Sequence, residues 1–202
     1  MYSEQFDAGD YYLEAETVPK KSFLKRCLHL VREILETIVP AVLIALLINL
    51  FLAQATRVYG QSMEPNLHTD QRLVVEKLSY NRHFRHYLGL SGPEQGDIVV
   101  IRLSSQGSEL LIKRVIGLPG DEVAIHDGRV FVNGQALSES YVAGNTTGSY
   151  GPITVPPLNV FVLGDNRNFS NDSRSFGFVP LKDVIGRAWF SYWPVDQIGF
   201  IN

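Results

Sequence analysis

The sequence contains one cysteine, Cys27, among 202 residues, so an intrachain disulfide is excluded. That lone thiol and the five scattered histidines, His29, His68, His83, His86 and His126, also lack the spacing of a structural zinc site. No HExxH segment or close histidine-carboxylate grouping points to metal catalysis, and no cofactor is implied. Excess basic charge is missing as well: 18 Lys plus Arg stand against 21 Asp plus Glu, which removes nucleic acid as a leading partner. No repeat of roughly 20 to 50 residues is visible, so propellers and solenoids are disfavoured. What the chain does have is 45% hydrophobic, 11% aromatic and only 19% charged residues, a composition that can bury a core.

Three parts are expected. Residues 1–36 are expected to form a polar, cytoplasmic leader that is loosely ordered at its start and carries Lys20, Lys21, Lys25, Arg26 and Arg32. Residues 37–55, TIVPAVLIALLINLFLAQA, hold no charge and as a transmembrane helix would span about 28 Å. Pro40 falls near the first turn of that span, where a missing N–H is tolerated, and Asn49 and Gln54 are its only strongly polar members. Ala53-Gln54-Ala55 is a small-x-small triplet of the kind cleaved after export, but the long leader and long apolar run favour an uncleaved anchor. All five leader cations precede the run, so the positive-inside bias predicts a single-pass protein with its N-terminus in the cytoplasm and residues 56–202 outside it.

The exported part reads as mainly β, an antiparallel sheet or barrel-like domain. Short β-branched runs recur at 72–78, 97–103, 110–116, 122–126 and 129–133, with further strands at 159–163 and 184–192. Asp127-Gly128 joins EVAIH to RVFVN as a type I′ hairpin turn. Residues 144–157, rich in Gly, Thr and Pro, read as a connection. Phe84, Tyr87, Leu88 and Leu90 are candidates for an interfacial surface; Trp189 and Trp193 are expected mainly to pack in the core.

Three segments carry candidate chemistry. Ser62, in GQSMEP, lies only seven residues beyond Ala55, which keeps it within roughly 25 Å of the membrane surface. Lys113 lies in ELLIKRVIG, where strand alternation puts Leu111, Lys113 and Val115 on one face and Ile112, Arg114 and Ile116 on the other. By pattern alone, an edge strand protected by its charges fits this segment at least as well as a catalytic one. As a base near neutrality, the lysine needs its pKa lowered from about 10.4 by roughly 3 units, which an apolar strand face can supply by desolvation. Arg114 stays protonated and cannot serve. The third segment, GDNRNFSNDSRSFG at 164–177, is either a turn held by side-chain hydrogen bonds or a brace for a site. The histidines fall in segments without triad character, so a serine-lysine pair has better surroundings than a Ser-His-Asp triad.

With these residues on the page, the sequence resembles type I signal peptidase, a membrane-bound serine-lysine endopeptidase that removes signal peptides from exported preproteins. The blocks that carry the resemblance are SMEPNL at 62–67, GDIVVI at 96–101, KRVIGLPGD at 113–121 and GDNRNFSNDSRSFGFV at 164–179. The resemblance implies Ser62 as nucleophile, Lys113 as general base and Ser170 as the serine that orients the lysine. It implies a supporting ion pair between Asp172 and Arg174, places Asp165 in the same block, and makes Met63 structural. It also implies preproteins with small side chains at positions -1 and -3, the lipid bilayer as a second partner, and a bacterial cell membrane or thylakoid membrane as location. One departure is Gly60, where some family members place a serine hydroxyl in the oxyanion hole; Ser62 N–H remains as donor and the second is unassigned. A self-cleaving repressor-type peptidase and an inactive anchored scaffold are alternatives that the apolar run and intact Ser62, Lys113 and Ser170 argue against.

Overall fold

The computed structural model describes residues 23–48, 52–80, 87, 89, 92–103 and 109–201. The chain divides into two compact units, 1–44 and 45–202. Helix α1, Phe23–Leu47, starts inside the expected polar leader and stops short of the expected span end. Its first half is amphiphilic, with i,i+4 pairs His29–Glu33 at 3.3 Å and Arg32–Glu36 at 2.6 Å on the exposed surface. Pro40 therefore lies well inside the helix rather than in its first turn. Residues 1–22, together with Asn49, Phe84, Leu88 and Leu90, lie outside the described residues.

The expectation of a continuous helix over 37–55 is corrected. No helix among the described residues is long and apolar enough to cross a membrane. The uncharged part of α1, Thr37 to Leu47, rises only about 16 Å, while Arg32, Glu33 and Glu36 load the turns before it. Ala53–Arg57 forms strand β1, whose residues pair antiparallel with Arg72–Glu76, strand β2, in the register Ala55↔Val74. Main-chain pairing along the open edge of β2 outweighs the helix propensity of Ala-Gln-Ala, and the β-branched Thr56 suits the ladder.

Beyond β2 come β3 (Ile98–Arg102), β4 (Leu110–Gly117), β5 (Glu122–His126), β6 (Arg129–Val132), β7 (Gln135–Ala136), β8 (Tyr150–Thr154) and β9 (Asn159–Leu163). A single-turn helix α2 (Ser173–Phe176), β10 (Val179–Pro180), β11 (Val184–Trp193) and β12 (Gly199–Phe200) complete the chain. The larger sheet runs β1-β2-β11-β3-β4-β9-β10 with β12 on β11, and the smaller β7-β6-β5-β8. All pairings are antiparallel, and the mainly β expectation holds. The β5–β6 turn forms as expected, with φ of 51° at Asp127 and 75° at Gly128 and His126 opposite Arg129. The stretch 144–157 is not merely a connection, because Tyr150–Thr154 pairs with β5.

Strand β3 explains why the larger sheet is a two-sided core. Ile98 and Val100 pack with Val58, Met63, Leu67 and Leu73 on one face, whereas Val99 and Ile101 pack with Val115, Val160 and Val162 on the other. A period of 2 with four consecutive apolar residues buries both faces. Strand β4 sits between β3 and β9, so the edge-strand reading of the Lys113 segment is overturned. Trp189 and Trp193, at 44% and 50% exposure, are on the surface rather than in the core. Register shifts on β11 between Ala188 and Phe190 and between Ser191 and Trp193 break the strict alternation, so that Ala188 and Ser191 are buried while both indoles face outward.

Candidate active site

The segment after β1 is held by its own apolar residues. Met63 and Leu67 are buried in the core, and Leu67 N and Asn66 N both donate to Met63 O at 3.0 Å. This tight turn presents Ser62 just before the buried anchor. Gly60 has φ of +78° with open space where a Cβ would stand, a backbone state that disfavours a side chain at this position. Its carbonyl accepts from Thr69 Oγ1 at 3.0 Å, which ties the turn back toward β2.

Lys113 reaches the turn from β4. Its Nζ lies 2.7 Å from Ser62 Oγ and donates to Ile112 O at 2.9 Å, while the residue is only 3% exposed. Burial pulls the lysine down from its ordinary value to about 8, against the carboxylates of Asp172 and Asp165, which favour the charged form. A neutral amine keeps one lone pair for the serine proton and an N–H for Ile112 O, so the geometry fits a base.

Ser170 is brought to the same place but not into that hydrogen bond. Its Oγ is buried without a partner among the described residues. A Cβ built on Gly164 would lie 2.3 Å from Ser170 Oγ and 2.5 Å from Ser62 O, so the three residues meet where only glycine fits. Asp172 and Arg174 form an ion pair at 2.8 Å, with Asp172 also capping α2 through Arg174 N and accepting from Gly164 N at 3.1 Å. Arg174 Nη2 donates to Arg167 O at 2.6 Å, closing the loop on itself.

Asp165 is fully buried and faces Arg114, the neighbour of Lys113 on β4, through two hydrogen bonds of 2.9 and 2.8 Å. Arg114 Nη1 also donates to Gly96 O at 2.8 Å and its guanidinium lies 4.0 Å from the Tyr141 ring centre. Asn66 Nδ2 donates to both Asp165 Oδ2 and Tyr141 O, at 2.8 and 2.7 Å. Arg167 is bound by Glu139, Thr146 Oγ1 and Gly164 O. Sequence reasoning did not single out Asn66, Glu139, Tyr141, Asn166 or Arg167. The only available signal was polar type, for Asn66, Asn166 and Arg167 next to Ser62 or Asp165, because the long-range partners of these residues lie 21 to 105 positions away in sequence.

A family model described as signal peptidase, peptidase S26 matches residues 31–193. The chain is similar to a probable signal peptidase I-2 of Synechocystis sp., at 42% identity over 175 residues covering 84% of this chain and 77% of that protein. It is similar to a probable thylakoidal processing peptidase 2, chloroplastic, of Arabidopsis thaliana, at 34% identity over 89% of this chain and 48% of that one. A crystal structure of a signal peptidase I from Enterococcus faecalis V583 aligns at 36% identity and a TM-score of 0.44, covering 48% of this chain and 97% of the other. The match of the family model across most of the length, with a relative above 40% identity, establishes that this chain belongs to the signal peptidase, peptidase S26 family.

Proposed function

We propose that Ser62 and Lys113 form the catalytic pair of a serine endopeptidase that cleaves signal peptides from preproteins. Membership of the family supports the activity, and one observation carries the assignment: the 2.7 Å contact between Lys113 Nζ and Ser62 Oγ in surroundings that lower the lysine's proton affinity. Neutral Lys113 takes the Ser62 proton as Oγ attacks the scissile carbonyl carbon. The C–N bond then breaks, and the same proton passes to the departing amine, the new N-terminus of the mature protein. The signal peptide is left as an ester on Ser62. Water, deprotonated by the same amine, adds to that ester and releases it. Asp172, Arg174 and Asp165 brace the loop that packs on Ser62, and Ser170 supplies a hydroxyl beside the pair.

The uncharged run that begins at Thr37 supports a membrane anchor, and the leader's cations support an N-terminus on the cytoplasmic side. The peptidase unit would then lie on the exported side of a bacterial cell membrane or a thylakoid membrane. The rings of Trp189, Phe190 and Phe200 gather 5.2 to 6.1 Å apart on β11 and β12, with Trp189 and Phe200 exposed and Phe190 half-buried, which suits contact with a lipid interface. Confining enzyme and membrane-bound precursor to one surface raises their effective concentration.

The test is cleavage of a precursor bearing an Ala-x-Ala site by the detergent-solubilised full chain, with the product's N-terminus sequenced and the rate followed from pH 6 to 10. The active form carries the unprotonated amine, so kcat/KM is expected to rise about tenfold per pH unit below pH 8 and to level off above it. A profile flat between pH 6 and 8 removes Lys113 from the role of base.

A further inference from the structure

Asn166 makes two contacts that bracket the nucleophile. Its side-chain Nδ2 donates to Gln61 O at 3.1 Å, and its backbone N donates to Ser62 O at 3.0 Å. Those two carbonyls belong to the peptide groups on either side of the Ser62 Cα. The first of these peptide groups also carries the Ser62 N–H. Because a peptide is planar, fixing the Gln61 oxygen fixes the direction in which the Ser62 N–H points. Among the described residues that N–H makes no hydrogen bond, so it is free to meet a substrate oxygen.

We propose that Asn166 is a positioning residue that aims the Ser62 N–H at the oxyanion of the tetrahedral intermediate; this rests on the assignment of Ser62 as nucleophile. Three observations carry it. With no hydroxyl at Gly60, the Ser62 N–H bears more of the oxyanion stabilisation, so its direction matters more. Gln61 O also accepts from Glu64 N, at 3.2 Å, and two donors on one carbonyl polarise the amide and make the N–H across the bond a stronger donor. Finally, Asn166 is itself anchored from the strand that supplies the base. Arg114, next to Lys113 on β4, holds the buried Asp165 through two hydrogen bonds, and Asp165 is the residue before Asn166. One strand thus aims the base directly and the oxyanion donor through Arg114, Asp165 and Asn166.

Asn166 acts only through the peptide, so its effect belongs in the transition state. The experiment compares the wild-type full chain in detergent with Asn166→Ala and Asn166→Ser on an Ala-x-Ala precursor. It also measures inhibition by a peptide aldehyde of the same sequence, whose hemiacetal oxygen occupies the oxyanion position. Both variants are expected to lose about 10- to 100-fold in kcat with KM within about twofold, and aldehyde affinity is expected to fall by the same factor as kcat. The apparent pKa of the rate profile in Asn166→Ala stays at the wild-type position, because Lys113 is untouched. Asn168→Ala, in the same loop but bonded outward to Thr147, keeps kcat within about threefold of wild type.

The proposal is overturned by kcat within threefold of wild type in Asn166→Ala, by a loss confined to KM, or by unchanged aldehyde affinity. It is equally overturned if both variants are unfolded at the assay temperature, which would assign Asn166 to the fold. Failure of the underlying reading looks different: the wild type would leave the precursor intact, or Ser62→Ala would still cut it.

Discussion

Ser62→Ala and Lys113→Ala are each expected to lower kcat/KM on an Ala-x-Ala precursor by about 10⁴-fold or more, measured by gel mobility of the processed product. The size follows from the two side chains acting as one unit. The hydroxyl at 2.7 Å from Nζ is a weak nucleophile without the amine, and without the hydroxyl the amine has no side-chain nucleophile to activate for acylation. Lys113→Arg separates charge from basicity: it keeps a cation in the site, but a guanidinium holds its proton at any assay pH, so activity should be lost as fully as with alanine. Lys113→Met adds a second reading. An amine held at 3% exposure with its protonated form disfavoured is a burden on folding, so this inactive variant should melt at or above the wild-type temperature. Normal cleavage by Ser62→Ala or Lys113→Ala would remove the pair from the mechanism.

The strands were legible where alternation and turn chemistry agree. Asp127-Gly128 fixed the hairpin, and the runs at 122–126 and 159–163 match β5 and β9 to the residue. Strand β1 was not legible, because Ala53-Gln54-Ala55 continues an apolar run and its strand state comes from β2, which lies about twenty residues further on. Strand β8 was hidden for a similar reason: Gly151 and Pro152 read as turn residues, yet Tyr150 and Ile153 pair with β5. The candidate site shows the same division. Ser62, Lys113 and the 164–177 loop are visible as residue types, and the family resemblance ordered them. What local sequence does not encode is their meeting. The β3–β4–β9 order sets Lys113 opposite Val99 and Arg114 opposite Leu163, one residue before Gly164, which delivers the polar loop beside Lys113. The role of Arg114 was missed because strand alternation describes faces of one element, while its partners, Asp165 and Gly96, come from the segments after β9 and before β3.

That missed pair gives the other large effect. Asp165→Ala is expected to destabilise the peptidase unit by about 3–5 kcal/mol, seen as a fall of roughly 6–20 °C in the thermal melt of the full chain in detergent. Asp165 is fully buried and the Arg114 side chain 4% exposed, so removing the carboxylate leaves a guanidinium without its anion and with little water. Joint replacement, Arg114→Met with Asp165→Leu, removes the buried guanidinium together with its carboxylate and should recover much of the loss. The recovery stays incomplete, because Gly96 O loses a donor, although Asn66 keeps Tyr141 O. Activity should not recover in step. Without the two-bond link from β4, the segment 164–166 is no longer fixed against the Ser62 turn, and kcat is expected to remain about tenfold or more below wild type. A double variant that regains both stability and full kcat would show the pair to be a fold element alone; one that regains stability only would show that a buried ion pair is kept here for the geometry it imposes on Ser62.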